Sequence, residues 1–299
     1  MNSIAKNGIR WTYSAAIFCT VIALQQQNAT AATLSGGWNY AIDSFSDGVT
    51  GGQVGGGEFE FYGIAVKETS DTAFVAINSN LSLAGAQRSY AARGSISYGD
   101  LFFNFSGQNF NTANANGSLF GIRFAESNDS PVVTGVYSNV TATSVTEANN
   151  GFSNLTRYNT HVQSAGGTSS MGDLAATDPY FQQIGENTVL NSIGSGTKVG
   201  EISSLTPATL SALGLNFAQF NAVGSQTIGF SFNKSSMPSG NYIANLFAEC
   251  ANDAIAIKGS FEKASAEAVP EPSTWFGTLV GLSFLGIGAA KRKIKHKIA

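Results

Sequence analysis

Carboxylates supply most of the side chains that could do chemistry in this 299-residue chain. A glycoside hydrolase uses two of them at a set separation, one as an acid and one as a nucleophile or base. Spacing along the sequence does not single out such a pair, because too many acidic residues qualify. The candidates are Asp43, Asp47, Glu58, Glu60, Asp100, Glu249 and Asp253. A carboxylate-dependent glycan hydrolase therefore remains a hypothesis without assigned catalytic residues.

The same residue types suit calcium, which is bound by carboxylate, amide and backbone oxygens. Suitable groups occur in the segment 43–48, which begins with Asp43 and contains Asp47, and in the pair Asn252 and Asp253. The first segment is not an EF-hand loop, because the middle Asp and the terminal Glu are missing. Asp43 and Asp47 are candidate calcium ligands, and the alternative is that they are ordinary turn residues in loops. No other cofactor is expected.

Histidine and cysteine are scarce. Between the two terminal signals described below, His161 and Cys250 are the single residues of their types. A zinc site of the usual His/Cys kind has no ligand supply, and a serine or cysteine mechanism would have to use His161 as its base. A glycine-rich run at 194–200 lacks the spacing of a phosphate loop and the Ser or Thr after the lysine. The sequence thus predicts a protein that is not an enzyme.

The last thirty residues have the order of a processing signal. Pro270, Glu271 and Pro272 precede a 16-residue apolar run at 275–290, and a basic end starts at Lys291. As a helix, this run would be about 24 Å long against a hydrocarbon layer roughly 30 Å thick, so it could span a membrane only marginally. The basic end would stay in the cytoplasm. The two prolines hold the backbone extended, as a processing enzyme requires.

This order resembles the PEP-CTERM sorting signal, with Pro270, Glu271 and Pro272 as the sorting motif. The resemblance implies that the chain is a substrate of exosortase, a membrane-embedded enzyme of Gram-negative bacteria. It also implies that the C-terminal helix enters the inner membrane transiently. The basic end departs from the family pattern in being mixed Lys/Arg and in continuing to Ala299. The alternative is a plain C-terminal tail anchor.

The N-terminus has the pattern of a secretory signal peptide. Lys6 and Arg10 precede an apolar stretch at 11–24, and small residues follow at the positions that signal peptidase reads. We expect a signal helix in residues 1–32 with cleavage after Ala31 or Ala32. A retained N-terminal anchor is the alternative, and the polar glutamines that follow the apolar stretch argue against it.

The body of the chain is acidic. Residues 33–269 contain 9 Lys and Arg against 18 Asp and Glu, although the whole chain has a net charge of only −3. Such a surface repels nucleic acid and anionic lipid, so neither is an expected partner. Extracellular polysaccharide is compatible with it.

Alternation of apolar with polar or small residues predicts a β-rich body. The runs 58–61 and 228–232 alternate at period two, as a strand with one buried face requires. Clusters of Gly, Asn, Ser and Asp separate such runs and are typical of turns. The comparable runs lie at 64–66, 73–77, 101–105, 119–124, 132–145, 242–247 and 255–261. We therefore predict an all-β domain at 33–261, a β-sandwich or jelly roll.

Two segments differ from this pattern. Thr206 and Pro207 favour a helix start, and Gly214 favours a stop, so one short helix is predicted at 207–213. The polar, glycine-rich stretch 149–200 predicts a long loop excursion, which would be the place for a binding surface. Residues 262–268 are predicted as a linker and 269–299 as the sorting signal.

The body also resembles a known family. The segments at 38–44, 60–65, 99–105, 120–124 and 249–253 are similar to a family of exosortase-dependent surface proteins, chiefly cyanobacterial. The resemblance implies location and no catalytic residue. We therefore expect an exported protein of the cell surface or extracellular matrix with a structural or adhesive role. The alternative is a loop-borne polysaccharide-binding module, with calcium dependence left open, followed by the glycan hydrolase.

Overall fold

The computed structural model describes residues 33–181 and 188–263. The predicted signal peptide with Ala31 and Ala32 lies outside the described residues, as do the sorting motif at 270–272 and the apolar run after it. Within the described part of the chain, no helix has the length and apolar character needed to cross a membrane.

Most of the regular secondary structure in the described chain is β-strand, as the alternating sequence pattern predicts. The strands, in chain order, are β1 (Thr33–Ser35), β2 (Trp38–Ile42), β3 (Val49–Thr50), β4 (Gln53–Val54), β5 (Phe61–Glu68), β6 (Thr72–Ser79), β7 (Ala86–Gln87), β8 (Ser95–Ile96), β9 (Leu101–Asn104), β10 (Leu119–Arg123), β11 (Gly135–Thr143), β12 (Ser170–Met171), β13 (Leu174–Ala175), β14 (Ser192–Gly200), β15 (Ile202–Leu205), β16 (Gln226–Asn233), β17 (Gly240–Phe247) and β18 (Ala254–Phe261). The α-helices are α1 (Phe110–Ala115), α2 (Leu155–Ser164) and α3 (Pro207–Ala212). The domain is therefore all-β, with few helices.

Twelve of these strands form two six-stranded sheets. Sheet A has the order β1-β2-β5-β6-β16-β15, and sheet B has the order β14-β11-β10-β9-β17-β18. Every neighbouring pair in both sheets is antiparallel. At the centre of sheet A, β6 and β16 pair over their whole length, from Ser79 opposite Gln226 to Thr72 opposite Asn233. Both sheets thus join strands from distant parts of the sequence.

The two sheets share one hydrophobic cluster. Its members from sheet A include Ile64, Val75, Ile77, Phe230 and Phe232, and those from sheet B include Leu101, Phe103, Ile122, Leu246, Ile255 and Ile257. Burial of apolar side chains contributes roughly 25 cal/mol per Å² removed from water. This shared cluster is therefore the main source of stability for the arrangement of the sheets.

The outer faces of both sheets are also covered. Successive residues of a strand point to opposite faces, so Ala65 and Ala76 turn away from the shared cluster and pack with Trp38 and Leu210 of α3. In the same way, Phe102 of sheet B packs on its outer face with residues of α1 and α2. Burial of both faces explains why β9 is a continuous apolar run instead of an alternating one.

The sequence predicts one short helix, whereas the described residues contain three α-helices, so the predicted number of helices is wrong. α3 lies where the sequence predicts it: the Thr206 side chain accepts a hydrogen bond from the Thr209 N–H, and Pro207 occupies the first turn. Gly214 follows with a φ of +84°, a left-handed conformation that glycine adopts without strain. The sequence pattern does not predict α1, and α2 lies in the segment 149–200, for which a loop is predicted.

α1 and α2 each begin at an asparagine cap. The side chain of Asn109 accepts from the Thr112 N–H at the start of α1, and that of Asn154 accepts from the Arg157 N–H at the start of α2. Asparagine is a preferred residue at this position. The segment 149–200 is therefore not a long loop excursion, since it contains α2, β12, β13 and β14.

Candidate functional site

Four carboxylates meet where strands of the two sheets begin or end. Asp43 directly follows β2, Asp47 stands two residues before β3, Glu60 directly precedes β5, and Asp253 directly precedes β18. One oxygen from each of Asp43, Asp47 and Asp253 lies within 4.8 Å of the others. We call these four residues the carboxylate cluster.

The carboxylate cluster is buried. The exposed fraction is 6% for Asp43 and 0% for Asp47, Glu60 and Asp253. Buried carboxylates are normally paired with a cation. Among the residues the structure describes, no lysine or arginine forms an ion pair with any of the four, since the described ion pairs involve other acids. The cluster therefore holds several acidic groups in the interior without a basic side chain to balance them.

Asp43 uses one oxygen as an anchor and leaves the other free. Its Oδ1 accepts hydrogen bonds from the N–H of Ser44 at 3.0 Å, the hydroxyl of Ser170 at 2.6 Å and the N–H of Gly172 at 3.1 Å. Its Oδ2 is buried and accepts no hydrogen bond from the described residues. These bonds tie the end of β2 to the β12 region.

Asp47 and Glu60 follow the same pattern. Oδ2 of Asp47 accepts from the Ser170 N–H at 2.7 Å, and its Oδ1 is buried without a partner among the described residues. Oε2 of Glu60 accepts from the N–H groups of Gly48 at 3.0 Å and Gly56 at 2.8 Å. Its Oε1 is likewise buried without a described partner. Three carboxylates thus each keep one free oxygen.

Asp253 joins the two sheets. Its Oδ2 accepts from the N–H of Phe61, the first residue of β5, at 2.6 Å, and its Oδ1 accepts from the N–H of Ala254, the first residue of β18, at 2.8 Å. The hydroxyl of Tyr158 in α2 lies 3.2 Å from Oδ1 and 3.1 Å from the backbone carbonyl of Asp47. One carboxylate therefore contacts sheet A, sheet B and a helix.

Glu60 lies so close to the backbone of residue 48 that this position requires a glycine. A Cβ at Gly48 would lie 2.6 Å from Cα of Glu60 and 2.7 Å from its Oε2. Contacts this short with backbone atoms do not occur for real Cβ atoms. Gly48 therefore allows its own N–H to reach the carboxylate of Glu60.

Burial raises the pKa of every member of the cluster, because it penalises the charged form. Burial, together with the charge of Glu60, raises the pKa of Asp47 to about 8. It raises the pKa of Asp43, with Asp47 as the second cause, and that of Glu60. The pKa of Asp253 rises through burial and through repulsion from Asp47, Asp43 and Glu60. Burial therefore favours the neutral form of all four groups, and a bound cation would favour the charged form.

A second pair of buried acids, Asp100 and Glu249, shows the contrasting arrangement. Asp100 accepts from the side-chain amide of Asn128 at 2.8 Å and from the Ile193 N–H at 2.6 Å, one on each oxygen. Glu249 accepts from the N–H groups of Ser97 and Asp129, again one on each oxygen. Burial raises the pKa of Asp100 to about 6 and that of Glu249 to about 8. These two carboxylates stabilise loops, and each of their oxygens accepts a hydrogen bond.

The remaining candidate residues stand apart. Glu58 is partly exposed and forms an ion pair with Arg88. His161 lies on α2, and its ring contacts the ring of Phe152 at 5.4 Å. Cys250 is a buried free thiol in the turn after β17, and burial raises its pKa to about 12. Trp38, the one tryptophan of the acidic body, is fully buried and offers no surface to a sugar.

The sequence anticipated part of the cluster. It indicated Asp43 and Asp47 as candidate ligands and Asp253 as suitable in kind, and the structure brings these three together. Asn252 instead fixes β3, since its side-chain amide donates to the Val49 carbonyl at 2.7 Å. The sequence indicates Glu60 only as a hydrolase candidate, and the available signal for its position is the pair of glycines, Gly48 and Gly56, whose N–H groups bind its carboxylate.

Comparison with known proteins gives no relative. No protein-family model, no curated protein and no solved structure matches the chain.

Proposed function

We propose that the chain is an exported surface or extracellular-matrix protein, sorted and cleaved by exosortase, with a structural or adhesive role. The support for export is the signal peptide pattern with cleavage after Ala31 or Ala32. The support for sorting is the Pro270, Glu271 and Pro272 motif with its apolar span and basic end. Signal peptidase and exosortase are the processing partners. The C-terminal helix of the chain enters the inner membrane only transiently.

The position of the carboxylates is the observation that carries the structural role. Six of the seven acids considered for glycan hydrolysis are at most 6% exposed, and the seventh, Glu58, is paired with Arg88. A glycosidase must place both carboxyl groups against a polymer that reaches them from solvent. Here the same groups hold strand ends and loops together through backbone N–H bonds. This arrangement supports a role for these carboxylates in stabilising the fold.

The finer fold assignment is part of this proposal. Two six-stranded antiparallel sheets with a shared hydrophobic cluster support a β-sandwich, and helices pack against its outer faces. A domain of this kind presents loops and strand edges to the matrix, and the acidic surface favours solubility there.

Assays of the polymer that surrounds the native cell test the role. The full chain, purified in mild detergent, is incubated with the organism's own exopolysaccharide, and both retention on the polymer and release of reducing ends are measured. We expect no release of reducing ends above that of a heat-unfolded sample. Turnover that is lost in a Glu249→Gln or Glu58→Gln chain would overturn the structural role and restore the hydrolase.

A further inference from the structure

We propose that Asp43, Asp47 and Asp253 bind one calcium ion in the interior of the domain, with Glu60 as an acidic neighbour of the ion. This inference is independent of where the protein is delivered, because it stands on the geometry of the four side chains. Its starting point is that one oxygen from each of the three aspartates lies within 4.8 Å of the others. Calcium–oxygen distances are about 2.3–2.6 Å, so ligands of one ion are at most about 5 Å apart.

The free oxygens are the second and independent observation. Oδ2 of Asp43, Oδ1 of Asp47 and Oε1 of Glu60 are buried and accept no hydrogen bond from the described residues. Buried acceptors are normally satisfied, so three on neighbouring side chains indicate a missing positive partner. Glu60 lies outside the group of three clustered aspartates and is fully buried beside them.

The hydrogen bonds on the other oxygens match the support that metal ligands need. Each of the three carboxylates is fixed by at least one backbone N–H through the oxygen that is not free: Ser44 and Gly172 for Asp43, Ser170 for Asp47, Gly48 and Gly56 for Glu60. Ligating carboxylates are characteristically oriented by such outer bonds. The side chains are therefore held in place before an ion arrives.

The ligand chemistry favours calcium over other metals. Only carboxylate oxygens converge, so a metal that prefers nitrogen or sulfur ligands has none in the cluster. Magnesium keeps several waters of its own, and residues with 0–6% exposure leave little access to solvent. Calcium accepts six to eight oxygens in flexible geometry, and carboxylates that bind through one or both oxygens supply them.

Thermal unfolding and metal analysis of the full chain in mild detergent test the site. The protein is stripped with EDTA, freed of chelator and titrated with calcium chloride alone or magnesium chloride alone. We expect one calcium per chain by mass spectrometry of the metal, and a Tm rise of about 5–10 °C at a hundredfold excess over Kd. Magnesium at equal concentration should give a clearly smaller rise.

Asp47→Asn and Asp43→Asn separate ligation from packing. In each variant, the amide oxygen can still accept the backbone N–H, while the amide nitrogen takes the place of the free oxygen. We expect at least a tenfold loss of calcium affinity. In EDTA, each variant should be as stable as the parent chain or more stable, because one of the mutually repelling carboxylates is gone. In calcium, the parent chain should therefore have the higher Tm. In EDTA, the Tm of each variant should equal or exceed that of the parent chain.

Asp100→Asn is the matched control, since Asp100 is equally buried but is not a member of the group of aspartates whose oxygens lie within 4.8 Å of one another. It should lower Tm and leave the calcium-induced rise unchanged. Equal Tm of the parent chain in calcium and EDTA, together with less than stoichiometric bound calcium, would overturn the proposal. If the Asn variants fail to fold, the stoichiometry and Tm of the parent chain decide it alone.

Discussion

Single residues in the carboxylate cluster are defined by backbone contacts as much as by charge. Glu60 is held by the N–H groups of Gly48 and Gly56, and Asp253 caps the first residues of β5 and β18. The sequence revealed the acids near Asp43 because they are dense in a short segment. It could not reveal that Glu60 and Asp253 approach them, since that depends on which strands become neighbours.

Replacing Gly48 by alanine tests this tight approach. The new Cβ would lie 2.6 Å from Cα of Glu60, so the backbone must shift. We expect Gly48→Ala to lower the free energy of unfolding by about 1–3 kcal/mol, measured by urea denaturation. Gly52→Ala is the control, because a Cβ there meets nothing within 4 Å. Equal stability of the two variants would contradict the described contact.

The carboxyl of Glu249 makes the free energy of unfolding depend on pH. Burial raises its pKa from 4.5 to about 8, so the folded state binds this proton more tightly than the unfolded state does. Its contribution to stability is then present below pH 4.5 and is lost as the pH rises towards 8. The stability of the Glu249→Gln variant should therefore fall less steeply over this range than that of the parent chain, by up to about 1.4 kcal/mol per pH unit.

At acid pH Glu249 is protonated, and its hydroxyl oxygen can still accept a backbone N–H that the amide nitrogen of Gln cannot, so the variant should be less stable there by about 1–3 kcal/mol. The measurement is urea unfolding of both chains at several pH values. Parallel stability curves for the two chains would show that the carboxyl does not take up its proton on folding in this range.

At the scale of elements, the helices were the least predictable part. α2 carries Leu155, Tyr158 and Val162, which are buried and spaced to share one face. Its cap, Asn154, was also visible, but the surrounding glycine-rich and polar sequence concealed the periodicity. α1 has only six residues, too short for a periodic signal. The strands were predictable because alternation is repeated in many segments.

Removing the cap of α2 should weaken both the helix and the cluster that it contacts. Asn154→Ala deletes the bond to the Arg157 N–H, and we expect a loss of about 1 kcal/mol in the free energy of unfolding. Calcium affinity should fall as well, because Tyr158 of the same helix contacts Asp253. Thr160→Ala is the control: this side chain is exposed on α2, and alanine favours helix. A cap variant as stable as this control would show that the bond contributes nothing.

At the scale of the whole molecule, the alternating pattern and the turn-forming clusters predict the all-β class, whereas strand order depends on long-range pairing. β9 lies between β10 and β17, and β6 lies between β5 and β16. Residues 43 and 253 become neighbours only through such pairings. The export proposal does not depend on such long-range pairing, because its support is the order of residues at the two ends of the chain.

The intact mass of the protein recovered from the native cell surface or medium, with its terminal peptides sequenced, tests the central claim most directly. The full chain has a mass of 31.1 kDa. The account predicts loss of residues up to Ala31 or Ala32 and of everything beyond the motif at 270–272, and any added mass would identify the acceptor. A species that still carries residues 275–299 would contradict it and make the chain a tail-anchored envelope protein.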